Sequence, residues 1–306
     1  MKLFNALLLL LLFTACKQEK APVVNQLPAE AIPPVVETTK QISGFSAPES
    51  VATDNSFFYI SNVGEKLQPT VKDGDGYISQ VKKNGEIVEQ KYITGLDAPK
   101  GMVVVNNVLY VADIDKIRGF SLLDKKKIFE LDLSSDGVTF LNDMTIVDEE
   151  TFLVSGTDVG KIYEVKTAKE GSFRVLDIEG DLSGVNGLFY STRTRQLFTN
   201  SFGSNNQPTG QIGIINMAAK KPLWKPQGEY KGALDGLKVI GGNTILFSDW
   251  NVGGLKFMDL TDKVVHPVEL PATIKGPADF YYDETTKSLW LPMMQENKVL
   301  KTHIKL

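Results

Sequence analysis

Ile42-Ser43-Gly44-Phe45-Ser46-Ala47-Pro48-Glu49-Ser50-Val51 returns further along as Ile93-Thr94-Gly95-Leu96-Asp97-Ala98-Pro99-Lys100-Gly101-Met102. Shorter copies follow at Asn142-Asp143-Met144, Asn186-Gly187-Leu188, Asp235-Gly236-Leu237 and Pro277-Ala278-Asp279-Phe280. Aligned on the central residue, the series is Glu49, Lys100, Asn142, Asn186, Asp235 and Ala278, with steps of 51, 42, 44, 49 and 43 residues. A repeat of that length marks one blade of a β-propeller, a unit that buries its apolar faces only by stacking on its neighbours. The phrase is therefore a structural constant, and its changing centre is the variable to follow.

The sequence around each phrase fills in the blade. From Val36 onward, short runs rich in Val, Ile, Phe, Tyr and Leu alternate with Gly, Asn and Asp turns, and no stretch has a helical period. In the second unit the phrase leads into a strand at Gly101–Val105, a turn at Asn106-Asn107 and a second strand at Val108–Ala112. Third strands are expected to start at Gly76, Gly160, Gly210 and Gly254, and fourth strands to run into the next phrase, as Val88–Ile93 does. Four strands in each of six units predict an all-β, six-bladed propeller. The last unit has only three strands of its own, near 279–282, 288–292 and 298–304. The orphan strand at 36–42 is expected to complete that blade and close the ring, leaving no open seam.

The first residues read as a targeting segment. Lys2 is followed by an apolar run from Leu3 to Phe13, too short to span a bilayer, and then by Thr14-Ala15-Cys16. Phe13-Thr14-Ala15-Cys16 resembles the cleavage box of bacterial lipoproteins, with Phe13 in place of the usual aliphatic residue. That resemblance implies a lipidated Cys16; the other reading is an ordinary signal peptide with an incidental cysteine. Cys16 is the only cysteine, so no internal disulfide can form. Pro22, Pro28, Pro33 and Pro34 mark 16–35 as an extended tether. The expected organisation is a signal peptide at 1–15, a Pro-rich tether at 16–35 and the propeller at 36–306. Such a protein would sit in the bacterial cell envelope, periplasmic or on the outer surface, held to a membrane through Cys16. We expect a monomer. A net charge of −4 gives no electrostatic case for nucleic acid, and Lys125-Lys126-Lys127 and Lys220-Lys221 read as solvated hairpin tips.

In a propeller the first strand of each blade lines the central channel, so the six phrase centres should converge. Five are polar, and carboxylate and amide oxygens are hard donors suited to Ca²⁺ or Mg²⁺. The only histidines, His266 and His303, fall far from the phrases, which argues against a Ser-His-Asp arrangement or a His-rich zinc site. Asp73-Gly74-Asp75-Gly76 lacks the rest of an EF-hand and is expected to be a tight hairpin turn. Asp143 and Asp279 are expected to cap turns or bond backbone amides. Trp250, in Asp249-Trp250-Asn251, reads either as blade packing, the favoured reading, or as channel rim.

The ordered set of Pro-Glu, Asn-Asp, Asn-Gly-Leu and Asp-Gly motifs resembles the regucalcin, gluconolactonase and strictosidine-synthase-like superfamily of six-bladed propellers, over the whole stretch from Ile42 onward. The resemblance implies a divalent cation, calcium before magnesium, held by Glu49, Asn186 and Asp235, with Asn142 on the metal or the substrate. It implies hydrolysis of a lactone or related ester, with Asp235 or Glu49 as general base. Two positions depart from the pattern. Sugar-lactone hydrolases of that family carry Arg two residues before the Asn-Asp asparagine, where this chain has Phe140. Lys100, a cation among the donors, either reaches away from them or pairs with Glu49 and leaves no metal site. Phe140 and Lys100 are accordingly expected to face a small-molecule substrate or ligand. The alternative function is a membrane-tethered propeller that binds without catalysing.

Overall fold

A computed structural model describes residues 39–204 and 207–306, so the expectations for the leader, Cys16 and the tether fall outside the described residues. Six separate antiparallel sheets of four strands make up the fold. Blade 1 is β2 (Pro48–Thr53), β3 (Phe57–Asn62), β4 (Gly76–Lys82) and β5 (Ile87–Leu96). Blade 2 is β6 (Pro99–Val105), β7 (Val108–Asp113), β8 (Lys116–Ser121) and β9 (Lys127–Asp132). Blade 3 is β10 (Leu141–Asp148), β11 (Thr151–Gly156), β12 (Lys161–Lys166) and β13 (Ser172–Val175). Blade 4 is β14 (Val185–Ser191), β15 (Gln196–Ser201), β16 (Gly213–Asn216) and β17 (Trp224–Pro226). Blade 5 is β18 (Leu234–Ile240), β19 (Thr244–Asp249), β20 (Leu255–Asp259) and β21 (Val265–Pro267). Blade 6 is β22 (Tyr281–Tyr282), β23 (Ser288–Met293), β24 (Lys298–His303) and, outermost, β1 (Lys40–Ser43).

The closing strand is where the sequence places it. β1 runs antiparallel to β24, with Ile42 opposite Val299. Ile42 and Phe45 are then buried with Phe58, Trp290 and Val299, and the rings of Phe58 and Trp290 stack with centroids 4.1 Å apart. This seam joins blade 6 to blade 1. Each of the other blade junctions holds its own apolar cluster, for instance Leu141, Phe152 and Tyr163 of blade 3 against Val103 and Ile117 of blade 2. Alternation along the strands explains this arrangement, because a blade apolar on both faces is buried only between two others. Stability is thus distributed around the ring, at about 1.5–3 kcal/mol for each large side chain fully buried.

Three local expectations differ from the structure. Gly210 does not open a third strand; β16 starts at Gly213, and Gly210 instead forms a bridge with Gly232. Asp73-Gly74-Asp75-Gly76 is not a tight hairpin turn. It ends the long 63–75 connection, whose base is closed by the Glu65 amide donating to Asp75 Oδ2 at 2.9 Å. The inner strand of blade 6 shrinks to Tyr281–Tyr282, with Pro277 bridging Met293 upstream of it.

Candidate active site

The phrase centre is the second residue of the inner strand in blades 1 to 5: Glu49, Lys100, Asn142, Asn186 and Asp235. A β-bulge sits at each of them. In blade 1 Pro48 pairs with Asn62 and Val51 with Ile60, so Glu49 and Ser50 together face Ser61. The same slip occurs at Pro99/Met102, Leu141/Met144, Val185/Leu188 and Leu234/Leu237. A bulge kinks the strand and re-aims a side chain, which turns each centre away from the sheet pattern. It also leaves an amide without its ladder partner. In four blades a side chain on the second strand accepts from that amide: Ser50 N to Ser61 Oγ at 2.8 Å, Asp143 N to Ser155 Oγ at 2.9 Å, Gly187 N to Asn200 Oδ1 at 2.8 Å and Gly236 N to Ser248 Oγ at 2.8 Å. Inner strands also approach closely here: a Cβ on Gly187 would lie 2.3 Å from the Asp235 carbonyl oxygen.

Glu49, Lys100, Asn142, Asn186 and Asp235 are all buried and line a single cavity of about 270 Å³. Ala278 does not line it. The cavity walls come from Leu67, Pro69, Phe140, Phe202, Trp250 and Met294. Leu67 and Pro69 stand on the long 63–75 connection and Phe202 starts the connection after β15, so blades on opposite sides of the ring supply the roof. Trp250 is a rim residue, with its ring centroid 5.9 Å from that of Phe202, and not the blade-packing residue that the sequence favours.

Among the described residues five buried side-chain polar atoms lack a hydrogen-bond partner, and four of them are Glu49 Oε2, Asn142 Oδ1, Asn186 Oδ1 and Asp235 Oδ1. Buried polar groups are nearly always paired, since an unmet one costs about 1–3 kcal/mol. Four unmet oxygens from four different blades around one cavity therefore mark a place prepared for an electrophile. The donor set fits a hard cation: two carboxylate and two amide side chains, each offering an oxygen. Among the described residues no group of three or more His, Cys, Asp and Glu is placed to hold a metal, so any such centre depends on the two amides.

Lys100 reaches away from these oxygens. Its ammonium donates to Pro69 O at 2.7 Å and Ala98 O at 2.9 Å, lies 4.7 Å from the centre of the Phe140 ring, and forms no ion pair with Glu49 within 4.0 Å. Burial pulls its pKa down to about 8 against the opposing pull of Glu49. Burial likewise pushes the Glu49 carboxyl well above the carboxylate range, with Asp235 and Asp279 adding to the shift and Lys100 opposing it. Asp235 is raised to about 8 by burial and by Asp279, again against Lys100.

A second ring of polar residues lies directly after the centres, and all of it is bonded. Asp143 accepts from the amides of Met144 and Leu188, each at 2.6 Å. Asp279 accepts from the Phe280 amide at 2.8 Å and from the Ser50 hydroxyl at 2.5 Å. Burial still raises both carboxyls, Asp279 to about 6. His266 and His303 lie on β21 and β24, at the outer side of their blades.

The bulge acceptors and the roof residues were not anticipated from the sequence. A Ser or Asn just before the last residue of the second strand, as in Phe57–Asn62 and Thr244–Asp249, was the available signal for the acceptors. The roof stands on connections with no period, which left nothing to align.

No protein-family model matches the chain, and no curated protein matches it in sequence. Solved structures do match in shape. A gluconolactonase from Xanthomonas campestris superposes with a TM-score of 0.64 at 12% identity, covering 87% of this chain and 90% of that one. The chain shares the six-bladed propeller fold of the gluconolactonase-like proteins. A protein of unknown function from Bacteroides thetaiotaomicron gives a TM-score of 0.64 at 11% identity over 88% and 77% of the two chains. Virginiamycin B lyase from Staphylococcus aureus gives 0.58 at 14% identity over 88% and 99%. At such identities the likeness concerns the propeller itself, and the chemistry rests on the residues of this cavity.

Proposed function

We propose that the protein is a divalent-cation-dependent hydrolase of a lactone or ester, working in the cavity at the channel mouth. The observation that carries this reading is the set of four unpartnered oxygens, Glu49 Oε2, Asn142 Oδ1, Asn186 Oδ1 and Asp235 Oδ1, around one cavity. A cation held by these residues, calcium in preference to magnesium, supplies a Lewis acid for the carbonyl oxygen and lowers the pKa of water. Asp235, whose carboxyl burial raises to about 8, would be ionised when it holds the cation, and Asp235 or Glu49 would be the proton acceptor for water. The water oxygen bonds to the carbonyl carbon, the ester carbon–oxygen bond breaks, and the proton returns from the carboxylate to the leaving oxygen. Phe140, Phe202, Trp250 and Leu67 keep bulk water from the site, and Lys100 holds the roof through Pro69.

Turnover of a broad panel of lactones and aryl esters with and without calcium tests this reading. Asp235→Asn is expected to lower kcat/KM by about a hundredfold or more. Calcium binding with no turnover of any substrate would instead favour the membrane-tethered, non-catalytic propeller. We also propose that Cys16 is lipidated and ties the protein to a membrane of the bacterial cell envelope. Cys16→Ala should then move the protein from the membrane fraction to the soluble one, and an unchanged distribution would refute the anchor.

A further inference from the structure

The cavity is not the end of the binding surface. Phe140 and Phe202 also line a second groove of about 420 Å³, formed with Thr157, Asp158, Val159, Ser183 and Gly184 between blades 3 and 4. The two phenylalanines are thus a ridge shared by two adjoining spaces. The deep side of the ridge leads to the four oxygens, and the outer side opens on the groove, which Asp158, Ser183 and Ser204 also line.

This ridge is held in place by backbone bonds. The Thr157 amide donates to Phe140 O at 2.9 Å, and the Phe202 amide donates to Gly184 O at 2.8 Å. Thr139 donates through both its amide, at 2.7 Å, and its hydroxyl, at 2.8 Å, to Asp158 Oδ2, fixing the segment before Phe140. Gly184, at φ +70°, packs so closely that a Cβ would lie 2.1 Å from Gly203 O. A glycine is needed for that approach, which brings the Phe202 connection against blade 4.

The chemistry of the walls then selects the ligand. Above the polar floor the cavity presents Leu67, Pro69, Phe140, Phe202, Trp250 and Met294. Of these only the Trp250 indole carries a side-chain donor. A polyhydroxylated ring would give up its hydrogen bonds to water against such walls, whereas an alkyl group gains by leaving water. Resting on the hydrolase reading, we infer that the substrate is an alkyl-substituted lactone. Its carbonyl lies at the oxygen floor, and its hydrocarbon arm crosses the Phe140–Phe202 ridge into the groove between blades 3 and 4.

The test uses a series of γ-lactones from γ-butyrolactone to γ-dodecalactone, with D-glucono-δ-lactone as the polar comparison, and the matching γ-lactams as ligands that resist hydrolysis. Turnover is measured by kinetics in calcium and lactam affinity by titration calorimetry. In the unmodified protein, kcat/KM for lactones and affinity for lactams should rise about fourfold per added methylene until the groove is filled. Phe140→Ala, and separately Phe202→Leu in case a larger change prevents folding, should flatten that slope, read within each variant as the ratio of γ-dodecalactone to γ-butyrolactone kcat/KM and as the matching ratio of lactam affinities. Lactam affinity that climbs with chain length while no lactone is hydrolysed would sink the hydrolase reading and keep the subsite. Hydrolysis indifferent to chain length, or a preference for hydrolysing D-glucono-δ-lactone, would overturn the subsite and leave the hydrolase reading standing. Neither binding nor turnover would overturn both.

Discussion

Asn142 and Asp143 are adjacent in the chain, both buried at the channel, and opposite in their bonding. Asn142 Oδ1 has no partner, while both Asp143 oxygens accept amides, one of them from Leu188 in the next blade. The contrast extends around the ring. The residues at the centres leave oxygens open, and those after them stitch blade to blade. Ser50 donates to Asp279 across the closing seam, Asn200 Nδ2 to Gly236 O at 3.1 Å, and Ser248 Oγ to Ala278 O at 3.0 Å. One layer is therefore a belt that fixes positions, and the layer above it is what the belt positions. Burial alone does not separate structural from functional polar groups; completeness of bonding does.

The comparison is sharpest where the two layers are changed one residue apart. Asp143→Ala removes a carboxylate that satisfies two buried amides and should cost about 3 kcal/mol, lowering the melting temperature by roughly 10 °C. Asn142→Ala should leave the metal-free melting temperature nearly unchanged while weakening calcium binding. Equal thermal losses in the two variants would erase the distinction between the layers.

A smaller effect is expected at Glu49. Calcium at about a hundredfold above its Kd should stabilise the protein by about 2.7 kcal/mol, a rise of roughly 5–10 °C. Glu49→Gln should abolish most of that rise yet make the metal-free protein more stable, because a buried carboxyl repelled by Asp235 and Asp279 is gone. A calcium shift that survives Glu49→Gln would remove Glu49 from the donor set.

The same comparison has a pH dependence. Asp235 is raised from 3.8 to about 8, so between those values the folded protein holds more protons there than the unfolded chain. Its contribution is present below pH 3.8 and is lost as pH rises through about 8. Metal-free melting temperatures should therefore fall over that range, and calcium affinity should rise over it as the competing proton leaves. Calorimetric scans with and without calcium check both slopes; a calcium affinity independent of pH would show that Asp235 gives up no proton on binding.

Much of this was legible in the sequence. The repeated phrase locates the inner strands of blades 1 to 5, because a bulge in each of them demands the same local residues, and the orphan strand before Ile42 predicts closure. Four of the six centres carry carboxylate or amide oxygens, which together with the family resemblance marked them as donors, and they are the four with unmet oxygens. Lys100 was readable only as a misfit. Its partner Pro69 lies 31 residues earlier on a connection with no counterpart in other blades, and backbone carbonyls leave no trace in side-chain patterns. Phe202, Met294 and Leu67 were invisible for the same reason, and the Asp73–Gly76 segment was misjudged because its fold depends on Glu65 across the base of that connection.

Lys100 has one more consequence. An ammonium has three N–H groups and a neutral amine has two. Two is the number accepted by Pro69 O and Ala98 O. Loss of its proton near pH 8 would thus remove the ammonium's positive charge while keeping both of the bonds that hold the roof. The cavity is built so that its charge can respond to solution without its shape following.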